Sequence, residues 1–363
     1  MHVLMDARAV QTYIDGISRY SIGVTKALSG LKPDWKLSVV VNPAAVSHFE
    51  QLPVELIIST VGRFSAAESS RLVPLIESSG ADCYLNFSMA GPMPSIHTIL
   101  SVHDLMVLNV PGYFGGNVLK NYLARFLFRI KLKKSITHSN SISVPSRATL
   151  KDLKSIFPGS EKKAFISGEG QDLFTNNDTL SSEREDFLLY VGNARAYKNV
   201  TRLIVAYSRL KAINPNFPRI KMVVRRDRAF ADFMRDVEDC SATDSIAILS
   251  RITDEELRLL YRKCAGLVIP SIKEGFGLPA LEAMAAGSPV VASSGTAVEE
   301  LVGDAGILVD PFSVHDIMRG MALLTSRHEL RRKLEAKALE RAGNYSWKKT
   351  AGIIADRIEV ITS

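Results

Sequence analysis

Cysteine is scarce in this chain. The three present among 363 residues, Cys83, Cys240 and Cys264, are far apart, odd in number and form no C-x-x-C pair. That speaks against a disulfide framework and a zinc site, and a reducing cytoplasm is the expected location. No run of about 18 uncharged apolar residues occurs, so no membrane-spanning helix is expected. The opening segment MHVLMDARAV lacks a basic stretch followed by an apolar one, so no secretory signal is expected either. After that strand-like opening there is no G-x-G-x-x-G, which argues against a dinucleotide-dependent oxidoreductase.

What is present is ordinary in amount and uneven in placement. The hydrophobic share is 46% and the charged share 23%, as in a globular protein. At this length two domains are the first expectation. The formal charge of +7 resides wholly in the first 166 residues, which hold 18 basic and 11 acidic side chains against 27 and 27 in the remainder. That asymmetry suits an anionic partner for the N-terminal half, either a phospholipid surface or a lipid-phosphate acceptor. A merely solubilising surface explains it equally well, and no nucleic-acid partner is expected.

Short runs of Val, Ile and Leu alternate with segments of helical period. In the first half strands are expected at His2–Asp6, Leu37–Val41, Glu55–Ser59, Cys83–Asn86, Thr98–Val102 and Ile142–Pro145. Helices are expected at Ile17–Leu28, Ala67–Ser78, Val118–Lys134 and Ala148–Ile156. Residues Gly168–Arg184, rich in Gly, Asn, Asp and Ser, read as a linker. Strands then resume at Phe187–Val191, Lys221–Val224, Ile246–Leu249, Gly266–Pro270, Pro289–Ala292 and Gly306–Val309, with helices between them. This alternation predicts α/β architecture: two Rossmann-like, doubly wound domains, over 1–168 and 185–345, facing a central cleft. The tail 346–363 predicts a helix, N-capped by Ser346, that could cross back to the N-terminal domain.

The most informative stretch is SIKEGFGLPALEAMAAG, Ser271–Gly287. Pro279 suits a first helical turn and Gly287 the position just past its end. A helix N-terminus near Gly277–Ala280 would offer free amides to a diphosphate. Gly275 and Gly277 would let that ligand approach the backbone. Glu274 on the loop and Glu282 a turn into the helix suit hydrogen bonding to sugar and ribose hydroxyls. In Tyr190–Asn199, YVGNARAYKN, Lys198 can neutralise a phosphate and Arg195 can clamp one. In the first half, Gly16 of DGISRY opens a helix after the first strand, and His103 of SVHDL ends another strand.

These segments together resemble glycosyltransferase family 4, the retaining glycosyltransferases of GT-B fold. Glu274 and Glu282 have the family's Glu-x7-Glu spacing, and PSIKEGFGLPALEAMAAGSPVVASSGTAVEELVGDAGILVDP is similar to the family throughout. The resemblance implies that Glu274 contacts the donor sugar, that the amides of Phe276, Gly277 and Leu278 lie near the diphosphate, and that Glu282 holds the ribose. It implies that Lys198 binds phosphate, with Arg195 standing in for the Arg that many members carry just before the Lys. It places Arg251 and Ile252 at the base, although Ser250 stands where the family usually has Gly. Gly16 would meet the diphosphate, and His103 would hydrogen-bond a sugar hydroxyl or steady developing charge.

The resemblance further implies transfer of a hexose, with retention, from a nucleoside diphosphate sugar to a saccharide or lipid-linked saccharide acceptor. DARAV, DGISRY, SVHDL and VGN…KN look like bacterial mannosyltransferases of surface-polysaccharide assembly, which makes mannose from GDP-mannose the leading donor. UDP-sugars, a non-hydrolysing nucleotide-sugar epimerase and a catalytically silent binding subunit are the alternatives. No Asp-x-Asp is present. No metal ligands and no cofactor are therefore expected, the helix amides and cations serving the leaving group instead.

The helical stretch 117–134 has two readings. Leu119, Tyr122, Leu123, Phe126, Leu127 and Ile130 form an apolar stripe with Lys120, Arg125, Arg129, Lys131, Lys133 and Lys134 around it. An interfacial helix would hold the enzyme peripherally at the inner face of a membrane. A stripe that simply enters the core is the preferred reading.

Overall fold

Strands form where β-branched and aliphatic residues run together, and most of them, the central ones above all, are buried on both faces, as in a parallel sheet covered by helices. In the computed structural model, which describes residues 1–12, 14–110, 113, 118–174 and 184–363, they assemble into two units. The first comprises 1–171 together with 346–363, and the second 172–345. Residues 175–183 of the expected linker lie outside the described residues.

The first unit is built on seven strands: β1 (His2–Asp6), β2 (Lys36–Val41), β3 (Glu55–Ile58), β4 (Cys83–Asn86), β5 (His97–Ser101), β6 (Ser141–Val144) and β7 (Ala164–Ile166). Their order is β3-β2-β1-β4-β5-β6-β7, all parallel. The second holds six: β8 (Phe187–Gly192), β9 (Arg219–Val224), β10 (Ile246–Leu249), β11 (Gly266–Ile269), β12 (Val290–Ser293) and β13 (Gly306–Val309). They run β10-β9-β8-β11-β12-β13, again all parallel. Both orders are doubly wound, so each sheet reverses direction at one point, β1 against β4 and β8 against β11. Cys83 and Cys264 are buried beside these strands, which pushes their thiols up to about 12 and about 11, respectively.

Ser346 caps the last helix, Trp347–Thr362, its Oγ accepting the Lys349 N–H at 3.2 Å. That helix buries Trp347, Ile354 and Ile358 in the first unit, at about 1.5–3 kcal/mol each. It packs on the helix Gly16–Leu31. Gly23 lies under the Trp347 indole, where a Cβ would fall 2.5 Å from the ring. Lys32 and Glu359 close the edge of the contact at 2.6 Å.

The apolar stripe of the helix Val118–His138 is not core. Leu119 is 78% exposed, Tyr122 71% and Leu127 57%. The helix turns its other face inward, where Leu132 and Ile136 join the core and polar residues fill the rest. Asn121 is buried there, Lys131 pairs with buried Glu68 at 2.6 Å, and Arg125 donates to the Leu108 carbonyl. Those tethers set the rotation of the helix, and the large apolar residues are left outside.

Candidate active site

Ligands of doubly wound sheets bind beyond the carboxyl ends of the strands where the order reverses. In the second unit that point lies between β8 and β11. The chain leaving β8 makes a short turn, Ala196–Lys198, before the helix Val200–Ile213. The chain leaving β11 forms the loop that ends in the helix Leu278–Ala285. Two contacts stitch these segments together. The Ile272 N–H donates to the Tyr197 carbonyl at 2.8 Å. Asn199 Nδ2 donates to the Pro270 and Pro311 carbonyls at 2.8 and 2.7 Å. Asn199 manages this from the left-handed region, φ 62, which Asn tolerates better than most residues.

This stitching brings Lys198 to Glu274. Lys198 Nζ lies 2.6 Å from Glu274 Oε1, with the side chains only 13% and 8% exposed. The same carboxylate accepts from Ser271 Oγ at 2.8 Å. Beyond it, Gly277 takes φ 104 and turns the chain into the helix, with Pro279 in its first turn. A Cβ on Gly277 would meet Val298 Cγ2 at 2.8 Å, so both conformation and space require Gly. Phe276 and Leu278 are buried on either side, Phe276 with its ring 5.7 Å from that of Tyr345. The amides at this helix start form the donor end of a dipole.

The other expected residues of this unit take separate places. Glu282 is buried within the helix and accepts from the Tyr261 hydroxyl at 2.8 Å. Arg195 pairs with Asp227 at 3.1 Å. Arg251 follows β10, two strands from the reversal point, and takes φ 58. A left-handed conformation costs an L-residue roughly 1–2 kcal/mol, and Arg251 bears it where a turn must be made next to half-buried Ile252. Arg226 Nε donates to the neighbouring Ser250 hydroxyl at 3.1 Å.

In the first unit Gly16 begins the helix Gly16–Leu31. Asp15 caps it, its carboxylate accepting from both the Ser18 N–H and the Ser18 hydroxyl at 2.9 Å. His103 follows β5 and is buried. Its Nε2 lies 2.9 Å from the Phe87 carbonyl, an acceptor only, so that nitrogen carries a proton. Its Nδ1 faces Glu169 at 3.6 Å, an ion-pair distance longer than a hydrogen bond. Tyr20 packs edge-on at 4.6 Å. Burial alone would disfavour the imidazolium, but the Glu169 carboxylate and the Phe87 carbonyl outweigh it, and the His103 pKa moves up.

Two functional groupings escape sequence reasoning. Glu169 lies in the stretch read as linker, and only its burial against His103 marks it. The other sits at the reversal point of the first sheet. There the Arg8 guanidinium grips Asp6 through two bonds, Nε–Oδ1 at 2.9 Å and NH2–Oδ2 at 2.7 Å, and reaches Glu68 at 2.9 Å. Tyr84 donates to Asp6 at 2.7 Å. Burial would lower the Arg8 pKa, yet Asp6 more than compensates and the net direction is up. The acid and base two apart in DAR are the sole sequence signal of this cluster.

Parallel sheets doubly wound in both units, with a charged pair at the reversal point of the second, define the class. The chain has the GT-B fold of two Rossmann-like units. Residues 174–341, nearly the whole of the second unit, match the family model of glycosyl transferases group 1. Serotype-specific mannosyltransferase WbdA of Escherichia coli is 25% identical, over 97% of this chain and 47% of its own. O-antigen chain mannosyltransferase B of Escherichia coli is 34% identical, over 45% of this chain and 43% of its own. The chain thus spans less than half the length of either relative. Among solved structures, sucrose-phosphate synthase of Thermosynechococcus elongatus superposes with a TM-score of 0.77, covering 99% of this chain and 98% of its own at 17% identity.

Proposed function

We propose that the chain is a retaining glycosyltransferase that moves a hexose from a nucleoside diphosphate sugar to a hydroxyl of a saccharide or lipid-linked saccharide. The observation that carries this reading is the Lys198–Glu274 pair at the reversal point of the second sheet. Lys198 and the amides at Phe276, Gly277 and Leu278 are donors, suited to the charge that grows on the departing diphosphate. Glu274 is an acceptor, suited to sugar hydroxyls. Glu282 serves the ribose, Arg251 and Ile252 the base, and Gly16 and His103 act from the first unit. Attack from the face the diphosphate leaves would let that phosphate take the acceptor proton, so no dedicated base is required. The donor set needs neither metal nor cofactor. The mannosyltransferases named above support mannose as the hexose, and GDP-mannose is the donor in this reading. Work on the cytoplasmic side, with the basic first unit in peripheral contact with the membrane, completes the reading.

Incubating the full chain with GDP-mannose and a panel of saccharide acceptors tests it directly. A mannosylated product with release of GDP is expected, and its loss in folded Glu274→Ala. Conversion of the nucleotide sugar in the absence of any acceptor would instead identify an epimerase.

A further inference from the structure

An α-helix at the surface of a globular unit normally turns its apolar stripe inward. The helix Val118–His138 does the reverse. Toward its own unit it presents Asn121, Arg125 and Lys131 alongside Phe128, Leu132 and Ile136. Toward solvent it presents Leu119, Tyr122, Leu123, Phe126, Leu127 and Ile130, each 40% exposed or more. Their spacing of three and four residues puts them on one continuous face. An exposed apolar patch of this kind marks an interaction site.

The charges around it select the partner. The 21 residues of the helix contain no Asp or Glu. Lys120, Arg129, Lys133 and Lys134 are exposed along the stripe. Their long stems can lie along apolar surface while their heads reach outward. A second copy of the chain would bring two such cationic faces together, with no acid on the helix to answer them. A bilayer with anionic headgroups answers both features: acyl chains for the stripe and phosphates for the rim. An aromatic such as Tyr122, with an apolar body and a polar tip, is the residue type that settles at headgroup depth.

We propose that the helix Val118–His138 is an interfacial anchor, lying in the plane of an anionic bilayer with Leu119, Leu123, Phe126, Leu127 and Ile130 inserted. This specifies the surface for the membrane contact named above. It stands independently of the sugar chemistry, because vesicle binding is read without donor or acceptor.

The test is co-sedimentation of the full chain with vesicles of phosphatidylcholine alone and of phosphatidylcholine with phosphatidylglycerol. Binding to the mixed vesicles is expected, with little to the neutral ones. Phe126→Glu with Leu127→Glu should abolish it. Neutralising Lys133 and Lys134 to Gln should weaken it by roughly fivefold per charge. The altered side chains are exposed, so circular dichroism and thermal midpoint should stay near those of the parent chain. Equal binding of the parent and the double glutamate variant would overturn the proposal. So would failure to bind mixed vesicles at low salt, or a dimer in light scattering that the glutamates dissolve.

Discussion

Lys198 Nζ and Glu274 Oε1 stand 2.6 Å apart across the point where the strand order of the second sheet reverses, and both side chains are largely buried. The pair joins the loop of one strand to the loop of its neighbour. An anion recruited to Lys198 therefore competes with Glu274, and a hydroxyl recruited to Glu274 competes with Lys198. Binding of the two halves of a nucleotide sugar would exchange one internal pair for two external ones.

Lys198→Ala should weaken nucleoside diphosphate binding by about 10- to 100-fold, the weight of a charge-assisted hydrogen bond of roughly 1.5–3 kcal/mol. Nucleoside binding should hardly change. Titration calorimetry with the diphosphate and the nucleoside checks this, and equal losses would place Lys198 outside the phosphate site. Because the single substitution strands Glu274, it should also lower stability more than the double replacement Lys198→Ala with Glu274→Ala.

Gly277→Ala should damage both stability and turnover. The residue holds φ 104 and its Cβ would press on Val298 at 2.8 Å. A loss on the order of 1–3 kcal/mol in denaturant unfolding is expected from the backbone alone, together with weaker diphosphate affinity. Wild-type affinity in this variant would separate the helix start from the phosphate.

Excess EDTA should leave transfer unaffected. Glu274 is held by Lys198 and Ser271, and Glu282 by Tyr261, so the nearest carboxylates face donors already. Transfer assays before and after chelation, with magnesium or manganese added back, decide the matter. Restoration by metal would make at least one of these glutamates a ligand.

Glu169→Gln should change how stability depends on pH. His103 has a pKa raised above its ordinary 6.5, against the opposing effect of burial, by the Glu169 carboxylate and the Phe87 carbonyl. A raised basic group stabilises fully below its unfolded value, and that stabilisation is lost as pH rises through the folded value. The wild-type advantage over Glu169→Gln should therefore be largest below pH 6.5 and fade above it. Urea unfolding across that range checks the sign, and a gap that widens with pH would rule the pair out.

Strand positions are legible in the sequence because buried parallel strands are continuous apolar runs. β7 is the exception: three residues at the sheet edge, Ala164–Ile166, are too few to show a pattern. The stretch Ala67–Ser78 reads as one helix, yet Glu68–Leu72 is wound as a π-helix before the α-helix Val73–Ser78 begins. Glu68 is buried there with Arg8 and Lys131, partners 60 and 63 residues away. The exposed stripe is misread for the same reason. A spacing of three and four is identical whether the face looks in or out, and the decision falls to distant tethers such as Lys131–Glu68. Of the candidate site, the loop and helix start at Ser271–Leu278 are legible because Pro279 and Gly287 mark the helix ends. The Lys198–Glu274 distance is not, since it depends on Asn199 bonding to Pro270 and Pro311.

The return of the final helix has a consequence for synthesis. The second unit, 172–345, is an insertion within the first, whose last piece is 346–363. A ribosome therefore delivers every residue of the second unit before it delivers Trp347, Ile354 and Ile358, the side chains that cover the helix Gly16–Leu31. The inserted unit can fold while its host is still unroofed, and the host is completed only after the whole insertion has been made.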